Sequence, residues 1–331
     1  MQAWAVAHPG PIDEGPLELV RRPVPEPAPG ELLLKVEACA ICRTDLHLAE
    51  GDLAPKRPGV IPGHQAVGTV VSQSARFAVG EWVGVAWLRG TCGVCEFCRR
   101  GDENLCPRST YTGWDADGGF AEYAVVPEAY AYGLPSQRSA VELAPFLCAG
   151  IIGYRALLRA NLPPGGRLGI YGFGSSAHLT AQIAAAQGAE LFVMTRGERN
   201  RALARELGAA FVGATTDRPP VGLDSAIVFA PAGDVVPYAL EAVKPGGTVA
   251  VAGIYLSDVP VLNYERYLFH ERDLRSVTSN TRRDGEELFR LIERLPVVPH
   301  TTTVPFGAVD RALADVAHGR ASGSLVALLD G

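Results

Sequence analysis

The 331-residue chain sets 30 lysines and arginines against 36 aspartates and glutamates, a net charge of −6. That balance leaves no basic footprint for nucleic acid, and the length suits two domains better than one core. Apolar runs such as 223–232 are too short and too broken to span a bilayer, and the first ten residues lack the charged-then-apolar order of a signal peptide, so a cytoplasmic protein is expected.

Residues 1 to about 150 read as mainly β. Short apolar runs at 32–36, 67–71, 82–86 and 123–126 are separated by glycine, proline and polar turns, and the proline-rich stretch 23–30 should be an extended connection. Near residue 150 the pattern changes. A helix over 149–162 should end at Pro163-Pro164-Gly165-Gly166. Strands at 167–171, 190–194, 225–229 and 248–253 then alternate with helices at 176–187, 199–207 and 235–243. A helix over 286–295 and a strand over 325–329 close the chain. This βαβ rhythm predicts an α/β fold with a Rossmann-type, doubly wound parallel sheet.

The first strand of that rhythm runs into Gly172-Phe173-Gly174-Ser175-Ser176-Ala177 and then a helix. This is the G-x-G-x-x-A setting of a dinucleotide fingerprint. The first glycine makes the turn, the second lets the backbone approach a pyrophosphate, and the helix N-terminus attracts the anion. A plain glycine turn between strand and helix is the bland alternative.

Six of the seven cysteines fall into two sets. Cys92, Cys95, Cys98 and Cys106 lie in one glycine-containing loop, with the thiolate number and spacing of a closed, structural zinc site. Cys42 and Cys148, with His64, could supply three ligands and leave a fourth position open, which is the catalytic arrangement. Spacing alone would not join these three. Cys39 reads as a small buried hydrophobe, and histidines 8, 178, 270, 300 and 318 have no comparable context.

Several segments together resemble the zinc-dependent medium-chain alcohol dehydrogenases. They are Cys42-Arg43-Thr44-Asp45-Leu46-His47, Pro62-Gly63-His64-Gln65-Ala66-Val67-Gly68, the four-cysteine lobe, Gly118-Gly119-Phe120-Ala121-Glu122-Tyr123 and the segment from Phe146 through Cys148 to Tyr154. The resemblance runs in order over nearly the whole chain. It implies a GroES-like, mainly-β catalytic domain over 1–150 with a zinc lobe at 88–110, a dinucleotide-binding domain over 151–287, and a return to the catalytic domain over 288–331. It also implies a homo-oligomer, dimer or tetramer.

The resemblance further implies two zinc ions per chain, a catalytic one on Cys42, His64 and Cys148 and a structural one on the four-cysteine lobe. Thr44 would bond the substrate oxygen and pass its proton through the cofactor ribose to His47, while Asp45 orients His64. Arg43, Gly172, Gly174, Ser175, Ser176, Thr195, Arg196, Ala230, Gly253, Ile254 and Arg282 would contact the cofactor. The second strand ends in Thr195-Arg196, with Arg199 and Arg201 nearby, where an NAD enzyme usually has an acid; this favours NADP(H), although Glu198 could still meet a ribose.

Trp87 and Leu88 would wall an apolar pocket that Ala49 and Leu53 leave roomy, and so admit larger primary alcohols or aromatic aldehydes; Trp87 could equally be only a core aromatic. Three residues depart from the family pattern: Gln65 for the usual glutamate, Ile152 for a usual threonine, and Ser324 for a common basic residue. The alternatives are a polyol or sugar dehydrogenase of the same fold, against which Gln65 argues, and a non-catalytic dinucleotide-binding zinc protein.

Overall fold

The computed structural model describes residues 1–329. They form two compact units. The first comprises Met1–Cys148, Ser279–Glu293 and the chain from His300 onward; the second comprises Ala149–Thr278 with Arg294–Pro299. The chain thus returns to the first unit at Ser279, earlier than the expected 288. The reason is local: Thr281 caps the helix Arg282–Ile292, its side chain and that of Asp284 exchanging hydrogen bonds with each other's backbone amides, and the helix buries Leu288, Phe289 and Ile292. That T-x-x-D capping box precedes the 286–295 span read from periodicity.

The first unit is built on the eleven-residue strand Glu31–Ile41, whose residues alternate inward and outward along Leu32, Leu34 and Val36. It pairs antiparallel with Ser324–Leu328, Ala66–Val70 and Tyr123–Pro127 in a seven-stranded sheet. A register shift between Val36 and Ala38 bends it, as bulges do where a sheet curls. Burial of each inward aliphatic side chain contributes roughly 1.5–3 kcal/mol. The strand delivers the chain into a helix, Arg43–Glu50, within the half read as all-β. Eight residues are too few to display a helical period, and this helix is buried from Thr44 through Ala49.

The second unit holds six strands, all parallel, in the order Phe211–Gly213, Glu190–Met194, Arg167–Tyr171, Leu223–Val228, Val243–Val251, Asp273–Ser276. Counted along the chain this is 3-2-1-4-5-6, the dinucleotide-binding order. The central strands are apolar on both faces, as helices on both sides require. The two outermost strands, three and four residues long, were invisible to pattern reading. The helix Ala149–Ala160 stops where Asn161 turns to φ 51°, just before the prolines. Among the described residues no single helix is long and apolar enough to cross a membrane.

Inside the second unit, Ala149–Ala160 crosses the helix Ser175–Ala186 at Gly153. A Cβ there would lie 2.2 Å from Thr180 Oγ1 and 3.2 Å from the Ser176 carbonyl. Alanine is the better helix former, yet here it overpacks the crossing. Gly153→Ala should therefore lower the unfolding free energy by about 1–3 kcal/mol. Thr180→Ala in the same chain should recover most of that loss in chemical denaturation. A Gly153→Ala protein as stable as the parent would refute the crossing.

Candidate functional site

The first constellation starts at the junction between Glu31–Ile41 and Arg43–Glu50. Cys42 is the helix N-cap residue, and its amide donates to Asp45 Oδ2 at 3.0 Å. The other oxygen of Asp45 accepts from the Gly63 amide and from His64 Nδ1, both at 3.0 Å. Asp45 is 2% exposed and His64 1%. One buried carboxylate thus fixes two backbone segments and one imidazole.

The loop carrying His64 is shaped by glycines. Gly63 has φ +93°, and a Cβ on it would meet the Phe120 amide at 2.6 Å; one on Gly118 would lie 2.2 Å from the Gly63 carbonyl. The Gly118–Phe120 amides donate in turn to the carbonyls of Ile61, Gly63 and Pro62. The paired glycines read from the sequence as a family strand are therefore the shelf on which the His64 loop lies.

With Nδ1 committed to Asp45, Nε2 of His64 is buried and has no hydrogen-bond partner among the described residues. It faces the sulfurs of Cys42 and Cys148, and the three ligand atoms lie within 4.8 Å of one another. Cys148 reaches them from the break between the 3-10 turn Ala144–Leu147 and the following helix. The hydrogen bond from Cys148 holds the Cys42 thiol well below its usual range, against burial and with help from His64, while the same bond and burial push Cys148 up. Burial opposes charge on His64, but Asp45 and Cys42 outweigh it and push the ring up to about 10. The pocket is built to hold positive charge, and its donor set of two sulfurs and one imidazole suits zinc with an open position.

Thr44 Oγ1 lies 3.6 Å from Cys42 Sγ, and His47 is buried one turn further on. Gln65 is buried, its amide nitrogen donating to the Ala40 carbonyl at 3.3 Å. Trp87 meets His64 edge-on with ring centroids 5.1 Å apart. It stacks on Tyr111 at 4.8 Å and lies nearly parallel to Trp114 at 6.1 Å, with the Lys56 ammonium 3.9 Å above Trp114. Leu88 and Ala49 are buried and Leu53 half-buried. Sequence reading named Trp87 but not Tyr111 or Trp114; an aromatic-rich Tyr-x-x-Trp turn directly after the four-cysteine lobe was the available signal.

The sulfurs of Cys92, Cys95, Cys98 and Cys106 also lie within 4.8 Å of one another. Backbone amides of Cys95, Cys98, Cys92 and Arg108 point at Cys92, Cys95, Cys106 and Cys106. The Val94 and Cys95 amides hold the Cys92 thiol down to about 5. The Cys98 thiol is also held down, while Cys95, despite the Cys98 amide, is pushed up to about 11 by its sulfur neighbours, so the four sulfurs share their negative charge unevenly.

In the second unit Gly172 takes φ +87°, and a Cβ on it would sit 2.7 Å from the Ala230 amide. A Cβ on Gly253 would lie 2.7 Å from the Ala230 carbonyl, so the ends of three neighbouring strands touch backbone to backbone here. Gly174 caps the twelve-residue helix Ser175–Ala186 and faces open space, a cradle that fits a diphosphate. Ser175 and Ser176 form the first turn of this helix, and Ile254 is exposed beyond Gly253. Thr195 is buried at the end of Glu190–Met194, its carbonyl accepting from Arg201 Nε at 3.1 Å, and Arg196 is exposed beside it. Glu198 is paired with Arg205 at 2.6 Å.

Two sequence expectations, for Arg282 and Arg43, meet a different environment. Arg282, expected at the cofactor, lies in the first unit with its guanidinium on both oxygens of Glu103 and its plane over Tyr130. Glu103 belongs to the four-cysteine lobe, and a half-buried carboxylate recruits the nearest cation, so this arginine ties that lobe to the helix Arg282–Ile292. Arg43 donates to the Val316 carbonyl at 3.2 Å. Ser324 is buried at the start of a core strand, with its amide on the His300 carbonyl.

Residues 28–136 match the family model of the alcohol dehydrogenase GroES-like domain, and residues 177–294 that of zinc-binding dehydrogenase. A probable alcohol dehydrogenase, AdhA, of Mycobacterium tuberculosis is 58% identical over 99% of this chain and 97% of its own. Among solved structures, acetophenone reductase from Geotrichum candidum in complex with NAD is 26% identical, with a TM-score of 0.87 over 99% of this chain and 97% of that one. A putative zinc-binding dehydrogenase from Sinorhizobium meliloti bound to NADP is 27% identical, with a TM-score of 0.85 over 99% of both chains. The chain belongs to the zinc-dependent medium-chain alcohol dehydrogenases.

Proposed function

We propose that this zinc alcohol dehydrogenase interconverts primary alcohols, aromatic ones included, and their aldehydes, with NADP(H) preferred over NAD(H). The observation that carries the reading is the His64 ring, locked by Asp45 so that Nε2 faces two cysteine sulfurs. Cys42, His64 and Cys148 would hold the catalytic zinc and Cys92, Cys95, Cys98 and Cys106 the structural one. When bound, zinc supplies a Lewis acid that makes a substrate hydroxyl easier to deprotonate, and the nicotinamide supplies or accepts hydride.

The chain's own residues do the rest. Asp45 keeps the ligand imidazole in one tautomer and orientation. The Thr44 hydroxyl hydrogen-bonds the substrate oxygen, and His47 receives the proton. Trp87, with Tyr111 and Trp114 behind it, offers a flat apolar wall that excludes water and favours planar substrates. Gly172, Gly174, Ser175 and Ser176 would cradle the diphosphate, and Ala230, Gly253 and Ile254 would contact the same cofactor. The buried, neutral Thr195 beside the exposed Arg196 supports recognition of a 2′-phosphate, and the engagement of Glu198 by Arg205 weakens the case for a ribose-binding acid. A cytoplasmic homo-oligomer is proposed as well. Its support is the short edge strand Asp273–Ser276 and the exposed Tyr255, Val261, Tyr264 and Phe269 of the same unit.

Three measurements test this reading. Cys148→Ala should cut turnover at least a thousandfold, on the order of losing an activating metal, with the folded state retained; Cys95→Ala should mainly lower Tm. Full turnover in the Cys148→Ala protein would overturn the assignment. With one aldehyde, kcat/KM should favour NADPH, and Arg196→Ala should raise KM for NADPH well beyond that for NADH; a tenfold advantage for NADH in the parent would reject the preference. Benzyl alcohol and hexanol should outperform ethanol in kcat/KM, and Trp87→Ala should erase the benzyl advantage. A clear preference for ethanol would sink the large-pocket reading.

A further inference from the structure

His47, the proposed proton acceptor, is held in place by a tight turn of its own chain. His47 sits in the last turn of the Arg43–Glu50 helix, only 8% exposed. Gly51 then takes φ +89°, and the amides of Gly51 and Leu53 both donate to the His47 carbonyl, at 3.1 and 3.0 Å. That tight turn folds the chain back over the imidazole. It brings Asp52 Oδ2 to 2.9 Å from His47 Nδ1, with the Asp52 side chain 35% exposed to water and the His47 side chain 10%.

Glu50 also lies within 4.8 Å of these groups, and its Oε1 accepts from the Ile12 amide at 3.2 Å. The remaining charged groups on the elements packed against this helix are Asp13 and Glu14 on Ile12–Glu14, and Asp310, Arg311 and Asp315 on Val309–Ala317. Asp13 is paired with His318 and Asp315 with Arg320. Asp52 is bonded directly to the ring, and its side chain is the more exposed of the two.

We infer that Asp52 is the positioning residue of His47: its carboxylate fixes Nδ1 as the donor, so that Nε2 is the basic nitrogen, and pairs with the imidazolium formed when Nε2 takes the substrate proton. The inference deepens the reading of His47 given above and rests on it. The proton balance is closed. The hydroxyl proton becomes the Nε2 proton, the ring gains one positive charge beside Asp52, and bulk water or buffer then removes it. Asp52 touches neither substrate nor cofactor; it acts through the ring.

The test titrates histidine-labelled protein by NMR, with His47→Gln assigning the His47 resonances, and measures the pH profile of alcohol oxidation in the same variants. Oxidation needs a neutral acceptor ring, so activity should rise with pH along an acid limb. A neighbouring carboxylate favours the imidazolium, so removing its charge should move that limb to lower pH. In Asp52→Asn the acid limb of kcat and the NMR titration of the ring should both move to lower pH, and KM for the alcohol should stay within about twofold. Asp52→Glu should restore most of both. An Asp52→Asn protein with an unchanged His47 titration and an unchanged limb overturns the inference. An unchanged limb in His47→Gln also overturns it, by removing His47 as the acceptor. Loss of turnover in Cys148→Ala keeps the zinc reading standing in either case, so the two failures are distinguishable.

Discussion

Asp45 is almost fully excluded from water, and an excluded carboxylate is costly unless donors surround it. Three do: the amides of Cys42 and Gly63 and the Nδ1 of His64. Each comes from a different stretch of chain or a different kind of group, so the requirement to satisfy one carboxylate joins the end of the Glu31–Ile41 strand, the Gly63 turn and a ligand ring in one arrangement. The positive φ of Gly63 and the missing Cβ of Gly118 let the backbone come that close. Removing any donor would leave buried charge uncompensated, which ties the architecture of the first unit to its chemistry.

The second unit meets its requirement differently. The cradle proposed for the cofactor is made of absences of side chain rather than of charges: Gly172 and Gly253 let strand ends touch through Ala230, and Gly174 leaves room in front of a helix N-terminus. The selectivity proposed for the 2′-position then falls to Thr195 and Arg196. Arg282 and Glu103 show that an arginine placed near a binding segment in sequence can be taken up by a carboxylate of the scaffold.

Much of this was legible from the chain. The alternation of strands and helices after residue 150 gave the parallel sheet, because buried parallel strands are continuously apolar and glycine marks their turns. The four-cysteine lobe was legible from spacing alone. Cys42, His64 and Cys148 were not, since they are brought together by strand pairing between distant segments; only the resemblance joined them. The Arg43–Glu50 helix was hidden by its shortness and by burial on nearly every side, which erases the polar face that periodicity needs. The strands Phe211–Gly213 and Asp273–Ser276 were too short to show a pattern. Asp52 carried no motif and Trp114 only an aromatic-rich turn, and their roles come from distances to His47 and Trp87.

Cys42, His64 and Cys148, with Asp45 behind the ring, are proposed to form a metal centre separate from the four-cysteine lobe. X-ray diffraction collected at the zinc absorption edge tests it most directly. Two anomalous peaks are expected per chain, one enclosed by four sulfurs and one bounded by the sulfurs of Cys42 and Cys148 and by Nε2 of His64, with Nδ1 of that ring still on Asp45. A single peak confined to the four-cysteine lobe in fully active protein would contradict it.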